Sequence, residues 1–405
     1  MVSLLYQEVR CAVANSSIKY YPVRNGDTGL ITLLDGTTFI IDCNICESSK
    51  GTSDPTMFDV KADLVKSLKK DGKILFTDIF ILTHGDEDHC LGFENNFYLG
   101  DPKNYGDTDA RNEKIRVDVL WFSPLALEKG TNDDAKAFRR EAKRRIKLHN
   151  DNHPDKDIAG NRIVIIGDNG SEELSTLNTV RYVPGQVITR FNNKTRTDFS
   201  IFIHSPYKKQ LMQNDAEKNH CSIVFQARFI HPLDRSKFTC LAMFGGDADH
   251  YAFKNILEQT KKHGNDAKEQ ALSWDLFLSP HHCSWTFFND TPQGENPKPV
   301  ASSISILSYA RTGARVIASS KTIKNNDDNP PHYQAKQQYV NKVGEANFLN
   351  TEVYDVKGKT PQPIIFEVSN QGPMKPKVAE GSNRNAGMAG TSVINSVSSY
   401  GSKVI

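Results

Sequence analysis

Residues 81–90 read ILTHGDEDHC, and the polar cluster behind that apolar start decides how the chain is interpreted. His84, Asp86, Glu87, Asp88 and His89 follow an apolar run at once. Side chains this polar do not fill a core, and a loop leaving a strand end can aim several of them at one point. His84, Asp86, Asp88 and His89 are hard-to-borderline ligands that suit Zn²⁺, Mn²⁺, Fe or Mg²⁺. Their spacing is too tight for one tetrahedral ion but fits two ions roughly 3.5–4 Å apart. The competing reading is a solvated acidic loop with capping histidines.

Two later segments repeat the pattern. LAMFGGDADH (241–250) runs an apolar strand into Gly245-Gly246 and then Asp247, where glycine permits close backbone approach and a carboxylate can bridge two cations. LFLSPHHCSW (276–285) runs a strand into His281-His282. Three strand ends carrying His or Asp in open turns are not explained by core packing.

Around these motifs the chain alternates strands and helices. TGLITLL (28–34), the turn DGT and TFIID (38–42) read as a hairpin. DIFILTH (78–84) and RVDVLWFSP (116–124) read as buried strands, and further strands are expected at 162–166, 180–190, 198–204, 222–230, 238–245, 274–280, 314–320 and 363–369. Helical periodicity marks 57–70, 131–149 and 250–264. Strand clusters in both halves with helices between them predict an α/β fold in which two sheets are sandwiched between helices. The expected domain covers 1–370. Residues 371–405, rich in Gly, Ser and Asn, read as a flexible tail.

Composition narrows the function classes. The 405 residues are 38% hydrophobic and 24% charged with a net charge of +2, so polyanion binding would need a local patch. No apolar stretch reaches the roughly 18–20 residues of a membrane span, and no membrane association is expected. MVSLLYQEVRCAVANSS at the start reads as a first strand, not a signal peptide. Seven cysteines (Cys11, Cys43, Cys46, Cys90, Cys221, Cys240 and Cys283) lack framework spacing, which suits a reducing cytoplasm. The lone CNIC at 43–46 reads as two ordinary thiols rather than a zinc site.

In this order and strand context the pieces resemble the metallo-β-lactamase superfamily. The nearest branch is that of the hydrolase domain of bacterial competence (DNA-uptake) proteins, and the likeness runs from about 18 to 368. NGDTGLITLLDGTTFIIDCN resembles its opening strands, THGDEDH its H-x-D-x-D-H motif and NHCSIVFQ its N-x-x-S strand opening. FGGDAD is similar to the bridging-aspartate motif and PHHCS to H-H-G-S; VIASSKTIKNNDDNPPH resembles the closing serine strand. The resemblance implies an αββα four-layer sandwich of the metallo-β-lactamase type. It implies two divalent ions (Zn or Mn, with Mg allowed), His84 and Asp86 facing one and Asp88 and His89 the other. Asp247 would bridge them and also, with Asp88, serve catalysis; His282 would complete the second site. Asp27 and Asp42 would support the ligands from behind. A water between the ions would attack a phosphodiester in a nucleic acid or nucleotide. The absence of channel segments points to a stand-alone cytoplasmic relative.

The chain departs from that pattern in three places. Asp86 stands where most superfamily hydrolases carry histidine, shifting preference toward harder ions. The usual third histidine is missing, leaving Asn219, His220 or His281 as a further ligand or substrate contact. Cys283 replaces the glycine of H-H-G-S and reads as a small buried neighbour.

Other candidates are read from the residues. His332, behind two prolines, is either a proton donor to a leaving group or a loop histidine. Ser319 and Ser320 either touch substrate or cap a turn. In the helix at 131–149, Lys136, Arg140, Lys143, Arg144 and Lys147 share a face, with Arg139 and Arg145 beside it and Ala135, Phe138, Ala142 and Ile146 opposite. Arg140, Lys143, Arg144 and Lys147 are candidate phosphate contacts, against a merely solvated face. Tyr20, Tyr21, Trp121, Phe122, Trp285, Phe287 and Phe288 are candidates for base stacking or for core. The rival functions are a zinc hydrolase of an amide, thioester or lactone, its third histidine being His220 or His204, and an inactive partner-binding relative.

Overall fold

Alternation of apolar side chains sorts the strands into two sheets with two faces each. In Thr38–Ile41, Phe39 and Ile41 enter one hydrophobic cluster while Ile40 enters another on the opposite face. The same split separates Ile79 and Ile81 from Phe80 in Ile74–Ile81, and Val119 and Trp121 from Leu120 and Phe122 in Arg116–Phe122. The computed structural model describes residues 15–46, 54–128, 132–213, 218–263, 267–291, 295 and 297–378. Most of the expected first strand (1–17) lies outside them, as does 379–405 of the expected tail.

The first sheet runs, in spatial order, through Gly372–Pro373, Ile364–Ser369, Ser16–Tyr20, Gly29–Thr32, Thr38–Ile41, Ile74–Ile81, Arg116–Phe122, Arg162–Ile166 and Arg181–Tyr182. Pairing is antiparallel up to Thr38–Ile41 and parallel from there on. Residues from both ends of the described chain therefore share one sheet, and Gly372–Pro373 pairs with Val368–Ser369, so the strands continue past 370. The second sheet runs through Val187–Ile188, Phe199–Ser205, Val224–His231, Asp234–Phe244, Trp274–Leu278, Ala310–Ala318 and Phe348–Asn350. Its last three pairings are parallel.

One hydrophobic cluster joins the sheets, Ile18, Ile31, Phe39 and Ile81 meeting Phe199, Phe225, Phe244 and Leu276. A second covers the other face of the first sheet with Val60, Leu64, Phe138, Ala142 and Ile146 from the helices Val60–Ser67 and Asp133–Asn150. A third covers the second sheet with side chains of His250–His263, Ala301–Ser308 and Tyr333–Val343. The fold is mixed α/β, and no helix among the described residues is long and apolar enough to cross a membrane.

Differences from the sequence reading have local causes. The helix expected at 57–70 spans Val60–Ser67, because Lys69–Asp71 turns back to pair with Ile74–Phe76. The strand expected at 180–190 is broken at Pro184-Gly185: Arg181–Tyr182 stays with the first sheet and Val187–Ile188 joins the second. Helices Ala301–Ser308 and Tyr333–Val343 were not expected.

Candidate metal centre

The parallel strands of both sheets deliver their carboxyl ends to one region, the usual place for a ligand in such sheets. Asp42 follows Thr38–Ile41, His84 follows Ile74–Ile81, and Asp247 follows Asp234–Phe244. His281 and His282 follow Trp274–Leu278. Asp27 precedes Gly29–Thr32, which is antiparallel to Thr38–Ile41 with Gly29 opposite Ile41, so its start lies at the same edge.

Asp247, 3% exposed, is the hub. Its Oδ1 lies 2.9 Å from His89 Nε2 and 3.6 Å from His282 Nε2. Its Oδ2 lies 3.4 Å from His84 Nε2 and 3.6 Å from His281 Nε2. Asp88 Oδ2 lies 3.2 Å from His282 Nε2, Asp88 Oδ1 4.0 Å from His89 Nε2, and Asp86 Oδ2 3.6 Å from His84 Nε2. Donor atoms about 2.0–2.2 Å from one ion stand roughly 3.3 Å apart at tetrahedral angles. The separations scatter around that figure. Nε2 of His84, His89 and His282 and Oδ1 of Asp247 are buried without a hydrogen-bond partner. Orphaned polar atoms converging this way are costly unless something binds them, and a cation satisfies all four.

Backbone conformation makes the convergence possible. His281, His282 and Cys283 have φ of 49°, 52° and 68°, a left-handed run that costs about 1–3 kcal/mol per residue. It turns consecutive histidines onto the two oxygens of one carboxylate. Gly246, at φ 49°, admits Thr83: a Cβ there would stand 2.7 Å from Thr83 Oγ1.

Behind the rings, Asp42 accepts the Thr83 N–H (2.7 Å) and hydroxyl (2.6 Å) and sits 2.8 Å from His89 Nδ1. His282 Nδ1 lies 3.1 Å from Ser319 O and 3.6 Å from Asp27 Oδ1. For His89, ligation through Nε2 leaves the proton on Nδ1, where Asp42 waits; His282 Nδ1 has the Gly26 N–H 3.1 Å away as well as those acceptors. The charges are mutually dependent. Burial alone would raise the Asp247 pKa, but the surrounding His89, His84 and His282 hold it well below the carboxylate range. Burial would lower that of His282; Asp247, with Asp27 and Asp88, instead pushes it up to about 10. A divalent cation would supply the positive charge that the protonated rings supply otherwise.

Other expected participants are placed elsewhere. His220 pairs through Nε2 with Asp249, which turns it away from the cluster, and the Asn219 backbone carbonyl accepts the Ser222 N–H. His204 is buried against Phe202, and desolvation pushes its pKa down to about 3. His332 caps the helix Tyr333–Val343, its Nδ1 accepting the Gln334 N–H at 3.2 Å, and its own N–H reaches Cys283 O at 2.9 Å; it braces the histidine turn. Ser319 donates to Gly26 O (2.6 Å), and Ser320 donates to Lys321 O and accepts from Asn350. Cys283 is fully buried, and burial raises its thiol pKa.

The cations of the long helix are mostly paired. Arg140 pairs with Glu94, Arg144 with Glu141, Lys147 with Asp151 and Lys136 with Asp133. Arg145 is buried on Glu141. Lys143 alone of the four candidate phosphate contacts has no carboxylate among the described residues. The helix end that meets the site loop is acidic: Asp134 accepts the N–H groups of Gly92 and Glu94. Arg144 and Lys147 lie about 15–20 Å further along it. The aromatic candidates are all core, none more than 3% exposed.

Two features escaped the sequence. Lys218 holds Asp86 Oδ1 at 2.5 Å, and no motif marks it. Arg24, Lys321 and Lys324 line a groove of about 500 Å³ with Asn25, Asp328 and Glu352. The groove adjoins the centre: Asn25 accepts the Lys321 N–H and precedes Gly26, whose N–H is 3.1 Å from His282 Nδ1. Compared with known proteins, the chain matches no family model and no curated protein.

Proposed function

We propose that the chain is a metal-dependent hydrolase of phosphodiesters, a nuclease or nucleotide phosphodiesterase, built as an αββα sandwich of the metallo-β-lactamase type. The observation that carries this reading is Asp247, each of whose oxygens faces two histidine Nε2 atoms within 3.6 Å. Zn²⁺, Mn²⁺ or Mg²⁺ bound there would supply an acidified water and positive charge opposite the developing anion. His84, Asp86 and Asp247 are the donors on one side, and Asp88, His89, His282 and Asp247 those on the other. Asp42 fixes the His89 ring. Asp88, with 38% of its side chain exposed, opens to solvent, and its pKa is lowered against burial by His282 and His89. It is thus an anion at neutral pH and, with ions bound, could take a proton from the water they acidify.

An anionic substrate is favoured by Lys321 and Lys324 of the groove, which close no salt bridge among the described residues, rather than by the paired cations of the long helix. An amide, thioester or lactone hydrolase relying on His204 or His220 draws no support from their positions. Cys43, Cys90, Cys240 and Cys283 are buried thiols, which suits a reducing cytoplasm.

The test is cleavage of labelled single- and double-stranded DNA, RNA and bis-p-nitrophenyl phosphate with Mn²⁺, Mg²⁺ or Zn²⁺. Metal-dependent cleavage that Asp247→Ala and His89→Ala both abolish is expected. Failure on every phosphodiester would sink the substrate assignment, and metal content would then separate another hydrolase from an inactive scaffold.

A further inference from the structure

We propose that His281 is the metal ligand completing the Oδ2 side of the centre, since the candidate histidines ahead of the bridging aspartate, His204 and His220, are directed elsewhere. This rests on the two-ion reading above and specifies it.

In the stretch 218–220, the natural source of such a ligand, Lys218 and His220 are otherwise engaged. Lys218 holds Asp86 Oδ1, and His220 Nε2 is directed at Asp249. His281 Nε2 instead lies 3.6 Å from Asp247 Oδ2, the same oxygen that His84 Nε2 faces at 3.4 Å. Its backbone N–H donates to Gly246 O at 3.0 Å, which ties the turn to the strand end carrying Asp247.

The ring's protonation follows from a chain of hydrogen bonds with one direction. Asn329 Oδ1 accepts the Trp285 backbone N–H at 2.9 Å, so that atom is the amide oxygen and can only accept. The Ser284 hydroxyl, 2.7 Å away, must therefore donate to it. The Thr286 hydroxyl donates in turn to Ser284 Oγ at 2.9 Å. With its proton committed, Thr286 Oγ1 can only accept from His281 Nδ1, 3.1 Å away. A neutral His281 thus carries its proton on Nδ1 and presents a bare lone pair at Nε2 toward Asp247. Such an outward relay is how metal-bound histidines are commonly oriented. His281 keeps 22% of its side chain exposed, which places this side of the centre toward solvent.

The test counts ions. Full-length protein, stripped by chelator and reloaded with Co²⁺ or Mn²⁺, is analysed by elemental analysis and by the Co²⁺ visible spectrum. Wild type should hold two ions per chain and His281→Gly one; glycine is chosen because it accepts the left-handed backbone. Asn219→Ala and His220→Ala should keep both. Thr286→Val, which breaks the relay but leaves the ring, should weaken the second ion about 10–100-fold. Two ions retained in His281→Gly, or one lost in His220→Ala or Asn219→Ala, would overturn the assignment. A wild-type chain that takes up no metal would instead overturn the metal centre itself, and this assignment with it.

Discussion

Asp42 and His89 form a fully buried pair in which Asp42 Oδ2 lies 2.8 Å from His89 Nδ1, while Nε2 of the same ring faces Asp247 Oδ1 at 2.9 Å. Asp42 touches no donor atom of the centre, yet it fixes which nitrogen carries the proton and which way the ring points. Desolvation raises its pKa and His89 offsets this, so each keeps the other charged or polar in a place that would otherwise neutralise it. Asp42→Asn keeps the shape and removes the charge. Metal affinity, read by chelator competition, should fall about 10–100-fold. Unchanged affinity would reduce Asp42 to a brace for Thr83.

Binding to the folded state alone must stabilise it. At free metal about 100 times Kd the gain is about 2.7 kcal/mol, a shift of several degrees in melting temperature. Added Mn²⁺ or Zn²⁺ should therefore raise the melting temperature of the chelator-treated protein. Asp247→Asn should abolish that response, because both sides of the centre share this carboxylate. A response that persists in Asp247→Asn would place the ion elsewhere.

Glu141, 4% exposed, accepts from Arg145 Nε at 2.7 Å and Arg144 Nε at 2.9 Å. Burial would raise its pKa, but Arg145 and Arg144 bring it below the ordinary value. A carboxylate lowered on folding gives stability above its unfolded pKa, about 4.3, and loses it as pH falls through the folded value. Glu141→Gln leaves Arg145 buried without its counter-charge and should cost about 3–5 kcal/mol near neutral pH. The gap in melting temperature from wild type should narrow below about pH 4. A gap that does not change with pH would mean that packing, not charge, carries the effect.

What the sequence disclosed and what it hid divide along physical lines. Strand ends followed by His or Asp are local signals, so His84, Asp86, Asp88, His89, Asp247 and His282 could be named before their geometry was known. The period-two alternation that separates Phe39 and Ile41 from Ile40 is equally local. The pairing of the long helix is not: Arg140 meets Glu94, 46 positions away, and no count of acids within the helix anticipates that. Lys218 reaches Asp86 across 132 positions, and His281 gains its meaning only from Thr286, Ser284 and Asn329. The aromatics near the motifs read equally well as stacking platforms, since periodicity tells which side chains share a face but not which face meets solvent.

With the helix cations engaged, substrate charge should be felt at the groove. Among the described residues Lys321 and Lys324 close no salt bridge, whereas Arg24 has Asp54 at 3.6 Å. Burial raises the Glu352 pKa, and the Arg24 and Lys321 charges oppose the rise. Each phosphate contact on a single strand contributes about 0.7 to the slope of log affinity against log salt. Lys321→Ala with Lys324→Ala should therefore flatten the slope by about 1.4 and weaken binding of a labelled single strand at low salt. Arg140→Ala with Lys147→Ala should change neither, because Glu94 and Asp151 already screen those charges. Fluorescence anisotropy across a salt series, with the Asp247→Asn substitution added to every variant to prevent cleavage, reads both. If the helix pair changes the slope and the groove pair does not, the phosphodiester track runs along the helix and the groove plays no part in it.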